Sequence, residues 1–194
     1  SSLLCFPNYE LKGFHMGKDK TAPELKYHGR VFDIYEHEVH LPNGRITRQS
    51  LLDHKPTVAA VPVLPDGKII LLKQYRPAVG DYLIEIPAGN MDDGESPEQC
   101  VKRELAEETG YSCRKLVKIY EGYLVPGYGN EYMYFYLASD LYPSDLPGDE
   151  DEVIERFSTT LDEALAMMER GEIKDSKTAL ALFLTERRLR AKNL

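Results

Sequence analysis

Three glutamates lie close together in a predicted helix, in the stretch RELAEETG that begins at Arg103. At roughly 100° per residue, Glu104, Glu107 and Glu108 occupy one arc of that helix. Apolar side chains share the arc, namely Cys100, Val101 and Leu105. Burying ionised carboxylates is costly unless cations or hydrogen bonds compensate. The pattern therefore predicts positive charge against this face.

A divalent metal ion is the best source of that charge. Arg103 lies four residues before Glu107, but one guanidinium does not balance three glutamates and Glu95. Carboxylate and carbonyl oxygens without His or Cys favour Mg²⁺, with Mn²⁺ as a substitute, and Mg²⁺ commonly binds substrate phosphates. The opposing interpretation is a solvated helix whose glutamates pair with Arg103 and Lys102. The interleaved apolar residues argue against it.

The acidic turn lies in a segment with clear helix start and stop signals. Ser96 and Gln99 form a predicted capping box around Pro97, and Gly110 supplies the stop, so we expect a helix over residues 97–109. A second capping box at Thr160-Leu161-Asp162-Glu163 predicts a helix that runs to Gly171, and a third helix is expected from near Ser176.

Strands are predicted on both sides of the acidic helix. Alternation around Asn43-Gly44 predicts a hairpin over residues 31–54. We expect TVAAVPVL, KIILLKQY and YLIEI to be successive strands of a mixed sheet, and KLVKIYEGYL, EYMYFYLA and VIERFST to be further strands. This order of elements indicates an α/β layered sandwich.

The whole chain limits the class of protein. Its 194 residues carry a formal net charge of -8, whereas nucleic-acid and membrane surfaces are usually basic. Its apolar runs are too short to cross a bilayer, and its three cysteines lack paired spacing. We therefore expect one globular domain with a small appendage, a cytoplasmic location, and neither nucleic-acid nor membrane partners.

The acidic stretch resembles the Nudix box at every defined position. The matching residues are Gly89, Glu95, Arg103-Glu104-Leu105, Glu107-Glu108 and Gly110-Tyr111. The resemblance implies an α/β/α sandwich that uses metal-activated water to cleave a nucleoside diphosphate linked to another group. It further implies that Glu104 and Glu108 are the principal Mg²⁺ ligands and Glu107 a ligand or a support. Arg103 and Glu95 would orient the acids and the loop.

From about residue 26 onwards, the chain resembles the ADP-ribose pyrophosphatase branch of that family. LLKQYRPAV places Arg76 where the branch contacts substrate phosphates, and EIPAG places Ala88 where a carbonyl oxygen ligates metal. Pro126 stands sixteen residues after the box glycine, a spacing that distinguishes the branch. In the acidic loop DEDEVIE, Glu150 is the candidate general base and Glu152 the candidate further metal ligand. The alternative is the reverse assignment of these two roles.

Further candidate residues each have a structural alternative. Arg76 and Arg48 are substrate contacts or exposed sheet charges, and Glu131 is a substrate contact or the start of a strand. Gly127 follows Pro126 in the same candidate substrate loop. His37 and His40 are expected on opposite faces of a strand, and both at the surface. Tyrosines are expected to be mostly sheet packing, and the resemblance offers three aromatic side chains for stacking the base, those of Tyr27, Phe32 and Tyr35.

The resemblance implies Mg²⁺-dependent hydrolysis of ADP-ribose to AMP and ribose 5-phosphate. The alternatives are the same reaction on another nucleoside diphosphate sugar, such as GDP-mannose or UDP-glucose, or a non-hydrolytic nucleotide-binding module. A homodimer is expected. Residues 1–55 are predicted to form an N-terminal extension and β-hairpin for dimerisation and substrate contacts, and residues 56–194 the hydrolase domain.

Overall fold

The computed structural model describes residues 22–148 and 153–191, which fall into two compact units. The first contains the described residues up to His54 together with Val125–Asn130, and the second contains the remainder. The strands are β1 Glu24–His28, β2 Phe32–His40, β3 Ile46–His54, β4 Thr57–Pro62, β5 Ile69–Arg76, β6 Asp81–Glu85, β7 Ala88–Asn90, β8 Tyr111–Tyr123, β9 Tyr132–Pro143 and β10 Ile154–Thr159. The helices are α1 Pro97–Thr109, α2 Leu161–Glu169 and α3 Ser176–Ala191.

A three-stranded antiparallel sheet of order β1-β2-β3 forms most of the first unit. β2 and β3 pair along their whole length, which confirms the predicted hairpin. The turn contains Gly44 at φ 80°, where other residues are disfavoured. The sequence does not predict β1, because this exposed strand lacks an alternation of buried and exposed positions.

The two histidines of β2 lie on opposite faces, as their spacing predicts. His40 is exposed, but His37 is only 6% exposed. The expectation that both are surface residues is therefore wrong for His37. A spacing of three residues turns one of the two side chains towards the packed face of the strand.

β4 is a central strand of the second unit, and all six of its residues are buried. It pairs in parallel with β9 and antiparallel with β7, in a sheet of order β7-β4-β9-β8. β5 lies between β10 and β6 and pairs with both in a separate antiparallel sheet. The prediction that β4, β5 and β6 are successive strands of one mixed sheet is therefore wrong. Periodicity identifies a strand but not the strands that flank it.

Alternate residues of β4 contribute to two cores. Val58 and Ala60 belong to a core that includes Leu105 of α1. Ala59 and Val61 belong to a second core, which includes residues of α2 and α3. α1 thus covers one face of the sheet and the other two helices cover the opposite face, which confirms the predicted α/β/α sandwich.

α1 begins and ends at the residues that its sequence signals predict. The Ser96 hydroxyl accepts the Gln99 N–H, the Gln99 side chain accepts the Ser96 N–H, and Gly110 ends the helix at φ 77°. This local encoding is important because α1 carries the acidic side chains. The helix therefore presents them at a defined angle to the sheet.

α2 has only half of its predicted capping box. The Thr160 hydroxyl accepts the Glu163 N–H, but the Glu163 carboxylate pairs with Arg170. α3 begins at Ser176 as expected. None of the helices in the described ranges is long and apolar enough to cross a membrane.

Candidate active site

A polar cleft of about 350 Å³ opens beside α1, which is within the size range of small-molecule sites. Its lining comes from β7 and the loop after it, from α1 and from the segment after β9. The lining residues are Ala88, Gly89, Asn90, Asp92, Arg103, Glu104, Glu107, Glu108 and Gly148. Four of them carry a carboxylate and one carries a guanidinium, so the cleft is strongly acidic.

Two of these carboxylates are buried and held by β7. Glu108 is 5% exposed, and its Oε2 accepts the Ala88 N–H at 2.9 Å. Glu104 is 9% exposed and lies directly against Gly89. A Cβ built on Gly89 would lie 2.0 Å from Glu104 Cδ. Only glycine therefore leaves room for this carboxylate, which explains physically why a glycine opens the acidic stretch.

Arg103 lies among the acidic side chains and connects them. Its Nη1 donates to Glu104 at 2.7 Å and to Glu107 at 3.1 Å. Its Nε and Nη2 donate to the two carboxylate oxygens of Glu95 at 3.1 and 2.9 Å, and Nη2 also donates to the Asn90 carbonyl at 3.0 Å. The guanidinium thus joins α1 to the loop that precedes it.

These contacts fix the charge states beside the cleft. The hydrogen bonds from Arg103 lower the pKa of Glu95, and the same bonds raise the pKa of Arg103. Burial raises the pKa of the Cys100 thiol, which donates to the Asn90 carbonyl. At neutral pH the loop glutamate is therefore anionic, the arginine cationic and the thiol neutral.

Replacing Arg103 with Lys is expected to lower kcat about 10- to 100-fold, because an ammonium cannot reproduce the fork that holds three carboxylates. Steady-state kinetics measures this loss. Arg114→Lys is the matched control, since Arg114 is an exposed arginine that pairs with Asp140. Equal activities for the two variants would contradict the role given to Arg103.

The chemistry of the cleft fits a divalent metal ion. Its side-chain donors are carboxylate oxygens, and Gly89 leaves the space that one of them occupies. Among the described residues no group of three or more His, Cys, Asp or Glu side chains is arranged to hold a metal alone. Glu104 and Glu107 bind Arg103, and Glu108 binds the Ala88 N–H. Mg²⁺ does not require such a group, because one or two carboxylates, water and substrate phosphates satisfy it.

Arg76 is not one of the described residues that line the cleft. Its Nε and Nη2 donate to the two carboxylate oxygens of Glu85, both at 2.7 Å. Glu85 is 2% exposed and also pairs with Lys177. Burial favours the neutral acid, but the hydrogen bonds and charges of Arg76 and Lys177 prevail and lower the pKa of Glu85. The sequence did not predict this network, although a glutamate at the end of an apolar strand is a signal for a buried ion pair.

Glu85→Gln is expected to lower the free energy of unfolding at neutral pH by about 3 kcal/mol, because it removes the buried anion that pairs with both Arg76 and Lys177. The folded-state pKa of Glu85 lies below its ordinary value of about 4.5, so its contribution is present above that pH and is lost as the pH falls through the folded-state pKa. Urea unfolding of both proteins across the acid range measures the difference. A difference that does not shrink with acid would contradict the assignment.

The other candidate substrate residues lie in several places. In the first unit, Arg48 pairs with Glu24 and Glu36, and Pro126 and Gly127 are exposed. In the second unit, Glu131 directly precedes β9 and accepts the Thr57 hydroxyl at 3.2 Å. Glu150 and Glu152 lie outside the described residues, and Gly148 is the last described residue before them.

Comparison with known proteins assigns the α/β/α sandwich and its acidic cleft to a hydrolase. Residues 53–182 match the NUDIX domain model, and the chain belongs to the Nudix hydrolase family. Hydrolases of this family generally use divalent metal ions.

Similar proteins cover most of the chain. The chain is 40% identical to the ADP-ribose pyrophosphatase of Bacillus subtilis, with 85% of this chain and 91% of the relative aligned. It is 35% identical to the methanol dehydrogenase activator of Bacillus methanolicus, over 86% and 94% of the two chains. The GDP-mannose pyrophosphatase of Yersinia enterocolitica is 39% identical over 61% and 66%. A solved structure of an ADP compounds hydrolase superposes with a TM-score of 0.78 at 25% identity, over 91% and 98%.

Proposed function

We propose that the chain hydrolyses the diphosphate linkage of ADP-ribose to AMP and ribose 5-phosphate with Mg²⁺, for which Mn²⁺ substitutes. The observation that carries the proposal is the pair of buried carboxylates, Glu104 and Glu108, held against β7 in an acidic cleft. An anionic substrate would enter such a cleft only together with cations. The ADP-ribose pyrophosphatase that aligns with most of the chain supports the choice of substrate.

Ala88, Glu104, Glu107 and Glu108 would hold the divalent ion, and Glu152 would add a further ligand. When bound, the ion lowers the pKa of a water molecule and neutralises charge on the diphosphate. Because the Ala88 N–H already orients Glu108, little free energy is needed to bring this carboxylate to the position in which it would bind the ion.

Proton removal and substrate binding would fall to other residues. Glu150 would take the proton from the attacking water, with Glu152 as the alternative for this role. Arg76 would bind the substrate phosphates, and its pairing with Glu85 fixes the plane of the guanidinium. Glu131 would contact the substrate in the loop before β9.

We propose further that Arg48, Pro126 and Gly127 contact the substrate, that the chain forms a homodimer and that its location is cytoplasmic. Contact of Arg48 with substrate would require its ion pairs with Glu24 and Glu36 to open. Sedimentation equilibrium measures the assembly state directly.

Turnover of ADP-ribose, GDP-mannose and UDP-glucose in the presence of Mg²⁺ tests the proposal. We expect the highest kcat/KM for ADP-ribose. A higher value for GDP-mannose would support the alternative substrate, which the Yersinia relative favours. Measurable binding with no hydrolysis of any of the three would overturn the enzymatic proposal and favour a nucleotide-binding module.

A further inference from the structure

The segment that carries Ala88 is attached to the first turn of α3, on the far face of the sandwich. The chain leaves the antiparallel sheet at Glu85, the last residue of β6, and joins the four-stranded sheet at Ala88, the first residue of β7. Between these two strands the backbone has no regular ladder. Ile86 is 1% exposed, so its N–H needs a partner from elsewhere.

Thr178 supplies that partner. The Thr178 hydroxyl accepts the Ile86 N–H at 2.9 Å and donates to Asp175 Oδ2 at 2.5 Å. The same Asp175 oxygen accepts the Thr178 N–H at 3.0 Å, which is the N-cap contact of α3. Thr178 is fully buried. The cap therefore fixes both the helix start and the direction of the hydroxyl.

A second contact attaches the preceding residue to the same turn. Lys177 donates to Asp175 at 2.9 Å and pairs with the buried carboxylate of Glu85. Glu85 and Ile86 are thus held by neighbouring residues of α3, one through its side chain and one through its backbone. The two carboxylates are balanced by Lys177 and by Arg76, so the cluster needs no further charge.

The contacts continue from Ile86 to the cleft. The Pro87 carbonyl accepts the Ala60 N–H at 3.0 Å, and the Ala88 N–H donates to Glu108 at 2.9 Å. Hydrogen bonds therefore join Thr178 to Ile86 and Ala88 to the Glu108 carboxylate. The peptide chain through Pro87 joins Ile86 to Ala88. A shift of Ile86 would be transmitted through Pro87 to Ala88, whose N–H orients Glu108.

We propose that Thr178, oriented by Asp175, is a positioning residue for the divalent-metal cleft and acts through Ile86, Ala88 and Glu108. The inference rests on the proposed function, because it takes Ala88 and Glu108 as metal ligands. Thr178 is not one of the residues that line the cleft. Its effect is on how well the ligands are placed before the ion arrives.

Mn²⁺ binding to the full chain, followed by electron paramagnetic resonance, tests the inference without substrate. Thr178→Val keeps the shape of the side chain and removes the hydroxyl, and we expect the Kd for Mn²⁺ to rise about tenfold. Thr178→Ser keeps the hydroxyl and should retain the wild-type Kd. ADP-ribose hydrolysis provides the second readout, in which Thr178→Val should need more Mg²⁺ but recover kcat, with KM for ADP-ribose unchanged at saturating Mg²⁺.

Thr185→Val is the matched control. Thr185 is also fully buried on α3, and its hydroxyl has no hydrogen-bond partner within the described ranges. An unchanged Kd for Thr178→Val, or an equal rise for Thr185→Val, would overturn the inference. If Thr178→Val shows no cooperative thermal transition, Thr178→Ala takes its place, because it also removes the hydroxyl but places no methyl group against the Ile86 N–H and the Asp175 carboxylate. An unchanged Kd for Thr178→Ala would then overturn the inference.

The same measurements separate this inference from the proposed function. A wild-type chain that binds Mn²⁺ but does not cleave ADP-ribose refutes the proposed substrate, while the comparison of Kd values still decides the role of Thr178. A wild-type chain that binds no Mn²⁺ overturns both.

Discussion

Glu108→Gln is expected to lower kcat for ADP-ribose about 10³-fold while the protein stays folded. The metal ion contributes several kcal/mol to the transition state, and each 1.4 kcal/mol is a factor of ten in rate. The amide oxygen of Gln can still accept the Ala88 N–H that Glu108 accepts at 2.9 Å. One buried charge is removed, so the free energy of unfolding without metal should not fall. Steady-state kinetics and urea unfolding measure the two effects.

Glu98→Gln provides the control for this substitution. Glu98 lies on the same helix, is exposed, and accepts a hydrogen bond from the Tyr136 hydroxyl, which an amide oxygen can also accept. We expect wild-type activity for it. Near-wild-type turnover of Glu108→Gln would show that Glu108 is not a principal metal ligand.

Gly89→Ala is expected to lower kcat by up to about 10³-fold, the loss that Glu104→Gln should also cause, while the free energy of unfolding falls only slightly. The added Cβ would lie 2.0 to 2.3 Å from the carboxylate atoms of Glu104. These atoms are the end of a flexible side chain, so the carboxylate moves and the backbone does not. The stability cost should therefore stay near the lower end of the 1–3 kcal/mol typical of overpacking, at about 1 kcal/mol.

A double-mutant cycle shows whether Gly89 acts through Glu104. If it does, adding Gly89→Ala to Glu104→Gln should lower kcat little further, because the carboxylate that the methyl group displaces is already absent. Fully additive losses would mean that the alanine damages the cleft in some other way.

The acidic half of the site could be predicted because its signals are local. The capping box at Ser96 and the stop at Gly110 fix the ends of α1, and the period of the helix then places Glu104 and Glu108 on the face that packs against the sheet. The prediction that Arg103 lies beside the acidic side chains is confirmed by its hydrogen bonds to Glu95, Glu104 and Glu107.

The supporting half of the site depends on contacts between distant parts of the chain. Glu85 meets Lys177 and Ile86 meets Thr178 across a sequence separation of 92 residues. No local pattern encodes such a separation. The same limit explains why the sequence predicted β4, β5 and β6 as strands but assigned them to one sheet. Strand partners are chosen by tertiary packing, which periodicity does not report.

Hydrolysis of ADP-ribose by the wild-type chain, with Mg²⁺ and then with an excess of chelator, tests the central claim most directly. Chromatography identifies and quantifies the products. We predict AMP and ribose 5-phosphate in equal amounts with Mg²⁺ and no turnover once the metal is removed. Absence of AMP with Mg²⁺ present, or an equal rate in chelator, would contradict the assignment of the acidic cleft as a metal-dependent diphosphate hydrolase site.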